Sequence, residues 1–375
     1  MALKEPYFDL IFQQLSSELI ERGENGNAFL IIRDDTDKSF NIKKYNSMAQ
    51  IEEDEELYTE DNFAYIKDAM TFKPYVLYVL RIDIITASLS SALALAERTE
   101  KVGRVTIADG TQSDYNALAT WGKEKEANKE GFTALTYEPS TAPDCMQVED
   151  FGDMEWVRFN DTTRGENGKV SGNKYLPSML GILASCGIKR SPTNFTCSNL
   201  SECSIVSDRS ESINSGKLIL KNAYGEVKVV LGINSMTTTN GKTRTEDMKY
   251  IDTVEKMKRI YSDLKEAFAV YQNGYNNTPF NQSQYISAAN DYLTNLSSGD
   301  TEILNPNYAN RIEINVDAQR KAWVQSTSDE AKKQEREKWT DAYVIDMPFK
   351  RTMFVVGHIF IFGSMDNMEM ILNME

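Results

Sequence analysis

The sequence predicts a mixed α/β (α+β) fold carrying a strand-like arm at each end of the chain. Three observations predict it. Between Ala28 and Asp161 apolar runs of strand length alternate with helix-period segments, a long helical stripe follows in the C-terminal half, and both termini alternate apolar with polar residues.

At the start, Phe8, Leu10 and Phe12 share one side of an extended segment while Asp9, Ile11 and Gln13 share the other. After Gly23 to Gly26, residues 28–32 form a buried-type apolar run. Residues 52–56 with Glu60 and Asp61 are acidic, but the carboxylates lack calcium-loop spacing and read as a solvated helix face or loop. Strands are predicted at 75–82, 104–108, 132–137 and 155–159, with helices over 87–97 and 113–129. Residues 217–220 and 226–231 read as two strands joined by a turn through Asn222 and Gly225.

Thr243 and Glu246 then have the spacing of a capping box for the helix that follows. Along it Tyr250, Val254, Met257, Tyr261, Leu264, Phe268 and Tyr271 make one apolar stripe that stops at Gly274, the pattern of a long core helix. The opposite face mixes Lys249, Lys256 and Arg259 with Asp252, Asp263 and Glu266 and reads as solvated. A helix through Tyr285, Ala289, Tyr292, Leu293 and Leu296 stops at Gly299. Residues 312–316 alternate like a strand, 317–325 are helical, and 329–339 form a charged, exposed helix with an Asp329/Lys333 pair. A hydrophobic strand over 353–362 leads through Gly363 and Ser364 to a last alternating segment, with Met368, Met370, Leu372 and Met374 on one face. A strand at a chain end needs a partner, because alone it leaves backbone groups unsatisfied and apolar side chains in water.

Composition narrows the function. The 375 residues are 41% hydrophobic, enough for a real core and about two to three domains. With 41 Lys+Arg against 56 Asp+Glu, the formal charge of -15 argues against nucleic acid as a partner, since phosphate binding draws on Lys and Arg. His358 is the one imidazole, so a multi-histidine metal site is excluded and histidine catalysis has a single possible base. Cys145, Cys186, Cys197 and Cys203 match neither a redox C-x-x-C pair nor a zinc knuckle and read as buried thiols. Gly241-Lys242-Thr243 resembles the end of a phosphate loop, yet the first glycine would fall at Met236. No catalytic, cofactor-binding or metal-ligating residue is assigned. No secretory leader is visible, and the apolar runs are about half of a ~20-residue membrane span, which predicts a soluble cytoplasmic product without membrane insertion.

Two strand-like ends flanking a globular middle suit a subunit that adds strands to its neighbours' sheets. Pattern alone leaves open whether the arms instead fold back on their own subunit. The stretch 227–242, with Gly232-Ile233-Asn234-Ser235-Met236 at its centre, resembles the G-[IV]-N-S-[LM] signature of the tail sheath proteins of contractile phage tails and R-type bacteriocins. Residues 355–370 resemble the same family's closing strand, methionine and acidic turn, and final strand. The likeness is best over 207–375, with the preceding segments weaker but in the same order.

The resemblance implies a discontinuous core sheath domain with an inserted outer domain: an N-terminal arm over 1–25, a first α/β part of the core over 26–98, an outward-facing middle domain over 99–206, a C-terminal core domain over 207–345, and C-terminal strands with a linking arm over 346–375. It implies hexameric rings stacked helically around a tail tube, contracting to drive the tube through a target envelope. The subunit would link to its own copies through Phe8, Leu10 and Phe12 at one end and Met368, Met370, Leu372 and Met374 at the other. Tail tube, baseplate and tail terminator proteins are the further implied partners, Lys249, Lys256 and Arg259 the candidate tube-facing residues. The implied location is a virion or bacteriocin tail, assembled in the bacterial host cytoplasm. Where relatives usually carry lysine and aspartate in the closing strand, this chain has His358, Phe360, Phe362 and Gly363. A cytosolic α/β enzyme or another self-assembling tail protein are the alternative readings.

Overall fold

The computed structural model describes residues 26–85, 88–298 and 302–370. These fall into two compact units, 26–258 with 363–370 and 259–362. Phe8, Leu10, Phe12, Leu372 and Met374 lie outside the described residues, as does Gly299.

The larger unit begins with β1 (Asn27–Arg33), β2 (Ile42–Tyr45), α1 (Met48–Glu53), α2 (Glu60–Thr71), β3 (Val76–Ile82), α3 (Leu89–Thr99), β4 (Val102–Ile107), α4 (Gln112–Asn128), β5 (Gly131–Tyr137) and β6 (Val148–Phe151). It continues with β7 (Trp156–Phe159), β8 (Lys169–Ser171), α5 (Leu176–Cys186), β9 (Leu200–Cys203), α6 (Arg209–Asn214), β10 (Lys217–Leu218), β11 (Leu220–Ala223) and β12 (Glu226–Val229). Seven strands form one sheet in the order β10-β6-β5-β4-β1-β3-β2, parallel except for β2. Strands covered on both faces read as unbroken apolar runs, which is why Ala28 to Ile32 are all fully buried.

Helix α4 starts with a complete capping box, Thr111 accepting from the Asp114 amide and Asp114 accepting from the Thr111 amide. Arg33, at the end of β1, grips the same carboxylate at 2.9 and 2.7 Å. Helix α5 is buried along its whole length and packs against α2, β1 and β4. A helix apolar all round shows no stripe, so it carries no periodic signal in the sequence. The hairpin forms as β11–β12, closed by Tyr224 and Gly225 at φ of 53° and 81° as a two-residue type I′ turn requires, but its first strand is shifted: Lys217 and Leu218 pair with β6 instead, and Asn222 lies within β11.

The expected divisions at 98/99 and 206/207 both run through this unit. β4 pairs with β1, and β10 pairs with β6, so residues on each side of either line build a single sheet. Parallel strands need crossover connections, and these thread distant segments into one layer.

The line between the two units falls within α7 (Ile251–Gly274). The smaller unit then contains α8 (Pro279–Leu296), β13 (Arg311–Ile314), α9 (Val316–Gln325), α10 (Glu330–Glu337), α11 (Asp341–Ile345) and β14 (Val355–His358). Its own core joins Ile260, Tyr292, Leu293, Leu296, Leu304 and Ile312. The second half of α7 and α8 run antiparallel: Tyr292 Oη donates to Asp263 at 2.7 Å, and one to two turns away Tyr285 stacks edge-on against Phe268 and Tyr271.

Three local readings change. The polar face of α7 is not solvated: Asp252, Lys256 and Asp263 are buried, and Tyr261 of the apolar stripe is exposed. Thr243 does not cap a helix; a short turn over Glu246–Lys249 follows Thr245, and Glu246 accepts from Thr239 instead. Asp329 caps α10 by accepting from the amides of Ala331 and Lys332, and Lys333 pairs with Glu330 rather than with Asp329.

Candidate assembly surfaces

Chemistry at the sheet's strand ends was one possibility, and its best sequence signal is Gly241-Lys242-Thr243. The amides that would cradle a phosphate are already taken: Asn240 Oδ1 accepts from Lys242, Thr243 and Arg244 at 2.9, 2.9 and 3.0 Å. Among the described residues no group of three or more His, Cys, Asp or Glu could hold a metal ion. None of their helices is long and apolar enough to cross a membrane. All four cysteines are buried, and burial with the Glu126 carboxylate beside it pushes the Cys145 thiol up, away from the reactive thiolate.

The motif Gly232-Ile233-Asn234-Ser235-Met236 is a buried polar knot. Asn234 donates to the Met248 carbonyl at 2.7 Å and accepts from the Met236 amide at 2.9 Å. The Ser235 amide donates to the Val148 carbonyl at 2.8 Å and its hydroxyl to the Cys145 carbonyl at 2.9 Å. Gly232 lies so close to Pro192 that a Cβ would strike the proline ring. These residue types satisfy buried backbone groups where β6, the 144–147 loop and the turn before α7 meet, which is a structural duty. Next to the knot, Asp144 accepts from the Thr237 and Thr238 amides at 2.8 and 2.9 Å and from Arg244 at 2.8 Å. Burial works against these donors, but they prevail and hold its carboxyl well below the ordinary range.

The C-terminal end has a different character. β13 and β14 form an antiparallel pair with Ile312 opposite Gly357 and Arg311 opposite His358, and no third strand joins them among the described residues. Past His358 the chain stays extended: Asn305 donates to the Phe360 carbonyl and Phe362 to the Ile303 carbonyl, each at 2.9 Å. Val355, Ile359, Phe360 and Phe362 are more than a third exposed. The outer edge of β13 is capped by Asn290 of α8, which accepts from the Ile312 amide at 2.6 Å and donates to the Ile312 carbonyl at 3.1 Å, whereas the outer edge of β14 has no strand partner among the described residues. His358 sits 3.6 Å from Glu313 across the pair, partly exposed, as one member of this surface. Residues 363–370 carry no regular secondary structure, and Met368 and Met370 are 77% and 60% exposed.

The three candidate tube-facing cations lie on or just before α7, and each is paired. Lys249 meets Glu246 at 2.7 Å, Lys256 meets Asp252 at 2.8 Å and Arg259 meets Asp263 at 2.6 Å. Their side chains are 29%, 8% and 13% exposed, so Lys249 is the most accessible.

No protein-family model matches the chain. Among solved structures, it superposes on a sheath tail protein from Listeria innocua with a TM-score of 0.63 at 11% identity, covering 82% of this chain and 93% of that one. It superposes equally well, at 0.63 and 13% identity, on the helical sheath of the anti-feeding prophage in its contracted state, covering 100% and 98%. The fold is therefore that of tail sheath proteins. By sequence, the chain is 22% identical over 320 residues to the tail sheath protein of Clostridium phage phiCD119, covering 82% of this chain and 84% of the phage protein. Sequence and fold are thus both similar to those of contractile tail sheath proteins of phages and phage-like particles.

Proposed function

We propose that this chain is the sheath subunit of a contractile particle, assembling with its own copies into hexameric rings stacked helically around a tail tube. Contraction of that lattice drives the tube through the target envelope. The observation that carries the reading is the β13–β14 pair, whose β14 edge and outward apolar side chains are uncovered among the described residues. Strands added by the terminal arms of neighbouring copies would cover both. Each added backbone hydrogen bond nets only about 0.5–1.5 kcal/mol, but several per arm, repeated around a ring, give a cooperative mesh.

In this reading Lys249, just before α7, is the candidate cation that faces the tube. The baseplate and the tail terminator bound the lattice at its ends, and the assembled particle is a phage or bacteriocin tail made in the bacterial host. The extended lattice is metastable, its energy lying in the difference between two packings and its lifetime in the barrier between them. Negative-stain microscopy of the purified chain tests the core of this: wide hollow tubes or stacked rings are expected. Particles that stay single at high concentration, with and without isolated tubes, would refute it.

A further inference from the structure

The root of the C-terminal arm is held by side chains to which no role has yet been given. Ser364 Oγ donates to Asp252 Oδ2 at 2.9 Å, and the same oxygen receives Lys256 Nζ at 2.8 Å from the next turn of α7. Two residues on, Asp366 lies within reach of the Asp252 and Lys256 charges; burial, with the Asp252 charge behind it, raises its carboxyl above the ordinary range. Asp252 and Lys256 are almost wholly buried, and the second Asp252 oxygen is buried without a hydrogen-bond partner among the described residues. Ser364 and Asp366 are half-buried while Met365 between them is 94% exposed. The Asp366 amide donates to the Ser364 carbonyl at 3.1 Å, so the chain makes a tight turn with Met365 at its tip and rests on the surface by the residues on either side.

We propose that Asp252 and Lys256 form a clasp that grips Ser364, with the half-buried Asp366 beside it, and fixes the point and direction from which the C-terminal arm leaves the larger unit. The purpose of the clasp, though not its existence, rests on residues 367–375 being a linking arm. Lys256 is its keystone, an ammonium held 2.8 Å from the Asp252 carboxylate, close enough to act on Asp366, in a site largely closed to water. Taking it away leaves both carboxylates uncompensated, and they drive each other apart. An arm released from a fixed root samples less space than one swinging from Phe362, so it meets a neighbour's sheet edge at higher effective concentration.

Hydrogen–deuterium exchange on the full-length chain tests the clasp, read on peptides covering 363–370 and, as a folding control, on β1 and β3. Replacing Ser364→Ala together with Asp366→Ala removes the arm's half without touching α7. Lys256→Met removes the keystone, and Lys256→Arg keeps the charge. Exchange over 363–370 is expected to rise about tenfold in the first two and less in the third, with the control unchanged. Unaltered exchange over 363–370 in both loosened variants would overturn the clasp. Tube formation is scored separately: a loosened segment that still yields tubes of wild-type length overturns the directional role. Absence of tubes from the unmodified chain counts instead against the sheath function and leaves the exchange result standing.

Discussion

Arg104 on β4 donates its Nε to both carboxylate oxygens of Glu149 on β6, at 3.1 and 3.2 Å, reaching over the intervening strand β5. Both side chains are buried. Glu255 on α7 approaches Arg104 to 3.1 Å, and Lys258, paired with Glu255, donates to Thr133 on β5 at 2.6 Å. Two cations and two anions thus seat the first turns of α7 on the sheet. Burial raises the Glu149 carboxyl, whereas at Glu255 burial is outweighed by Arg104 and Lys258, which hold it down.

Removing one member of such a network strands the others, so Arg104→Met should cost about 3–5 kcal/mol, measured as a fall in the urea unfolding midpoint. Adding Glu149→Met to it should restore at least half of the loss, because the stranded carboxylate then leaves with the cation. A single variant within about 0.5 kcal/mol of wild type would show that the network is dispensable.

The same network explains which parts of the fold were legible in the sequence. β1, β3, β4 and β5 were readable because unbroken or alternating apolar runs follow directly from being covered by helices. β6 was not: its sequence Val148-Glu149-Asp150-Phe151 looks half-polar, and its carboxylates are buried with Arg104, Lys217 and backbone donors supplied from far along the chain. The polar face of α7 misled in the same way. Charges that neutralise one another inside a protein have the same one-dimensional pattern as charges in water, and only the partners' positions separate the two cases. Among the assembly surfaces, the Asn234-Ser235 knot and the closing strand could be located from sequence, whereas the clasp on Ser364 joins residues more than 100 positions apart.

Asp150 yields a pH prediction. Burial pushes its carboxyl up to about 7, despite the Glu138 amide at 2.9 Å and the Lys217 charge, with the charges of Glu138 and Asp153 adding to the rise. A carboxyl raised on folding stabilises the fold while it is protonated in both states, and that contribution is lost as pH rises from the unfolded value near 4 through the folded value near 7. Asp150→Asn keeps an acceptor for the Glu138 amide and cannot ionise. Its stability relative to wild type should therefore climb between pH 5.5 and 7 by at most about 1.4 kcal/mol per pH unit and level off above. A difference that stays flat across this range would show that Asp150 titrates normally.

Gly181 in α5 faces the backbone of α2, where any Cβ would lie well inside van der Waals contact of the Ala69 carbonyl oxygen. The close approach of the two helices depends on that missing carbon, and a backbone oxygen cannot swing aside as a flexible side chain would. Gly181→Ala is expected to destabilise by about 1–3 kcal/mol even though alanine has the better helix propensity. Thermal unfolding of the variant measures it; a rise in Tm would mean that propensity outweighs the clash.

Met368 and Met370 stand in solvent beyond the clasp, on a segment that makes no strand of its own. Apolar side chains at a chain end, spaced by two, gain little from water and a good deal from a neighbour's sheet face, at about 25 cal/mol per Å² of apolar surface covered. Deleting residues 367–375 removes that gain and leaves the root at Ser364 and Asp366 in place, so the folding of each subunit should be unchanged by circular dichroism and unfolding midpoint. Ring contacts that depend on the arm should fail, and microscopy should show short stacks or dispersed subunits in place of full-length tubes. Met368→Asp with Met370→Asp makes a finer version of the test, because it keeps the backbone donors and acceptors and removes only the apolar contribution, and intermediate tube lengths are expected from it. Full-length tubes from the truncated chain would mean that the arm links no neighbours, and the uncovered edge of β14 would then need a different partner.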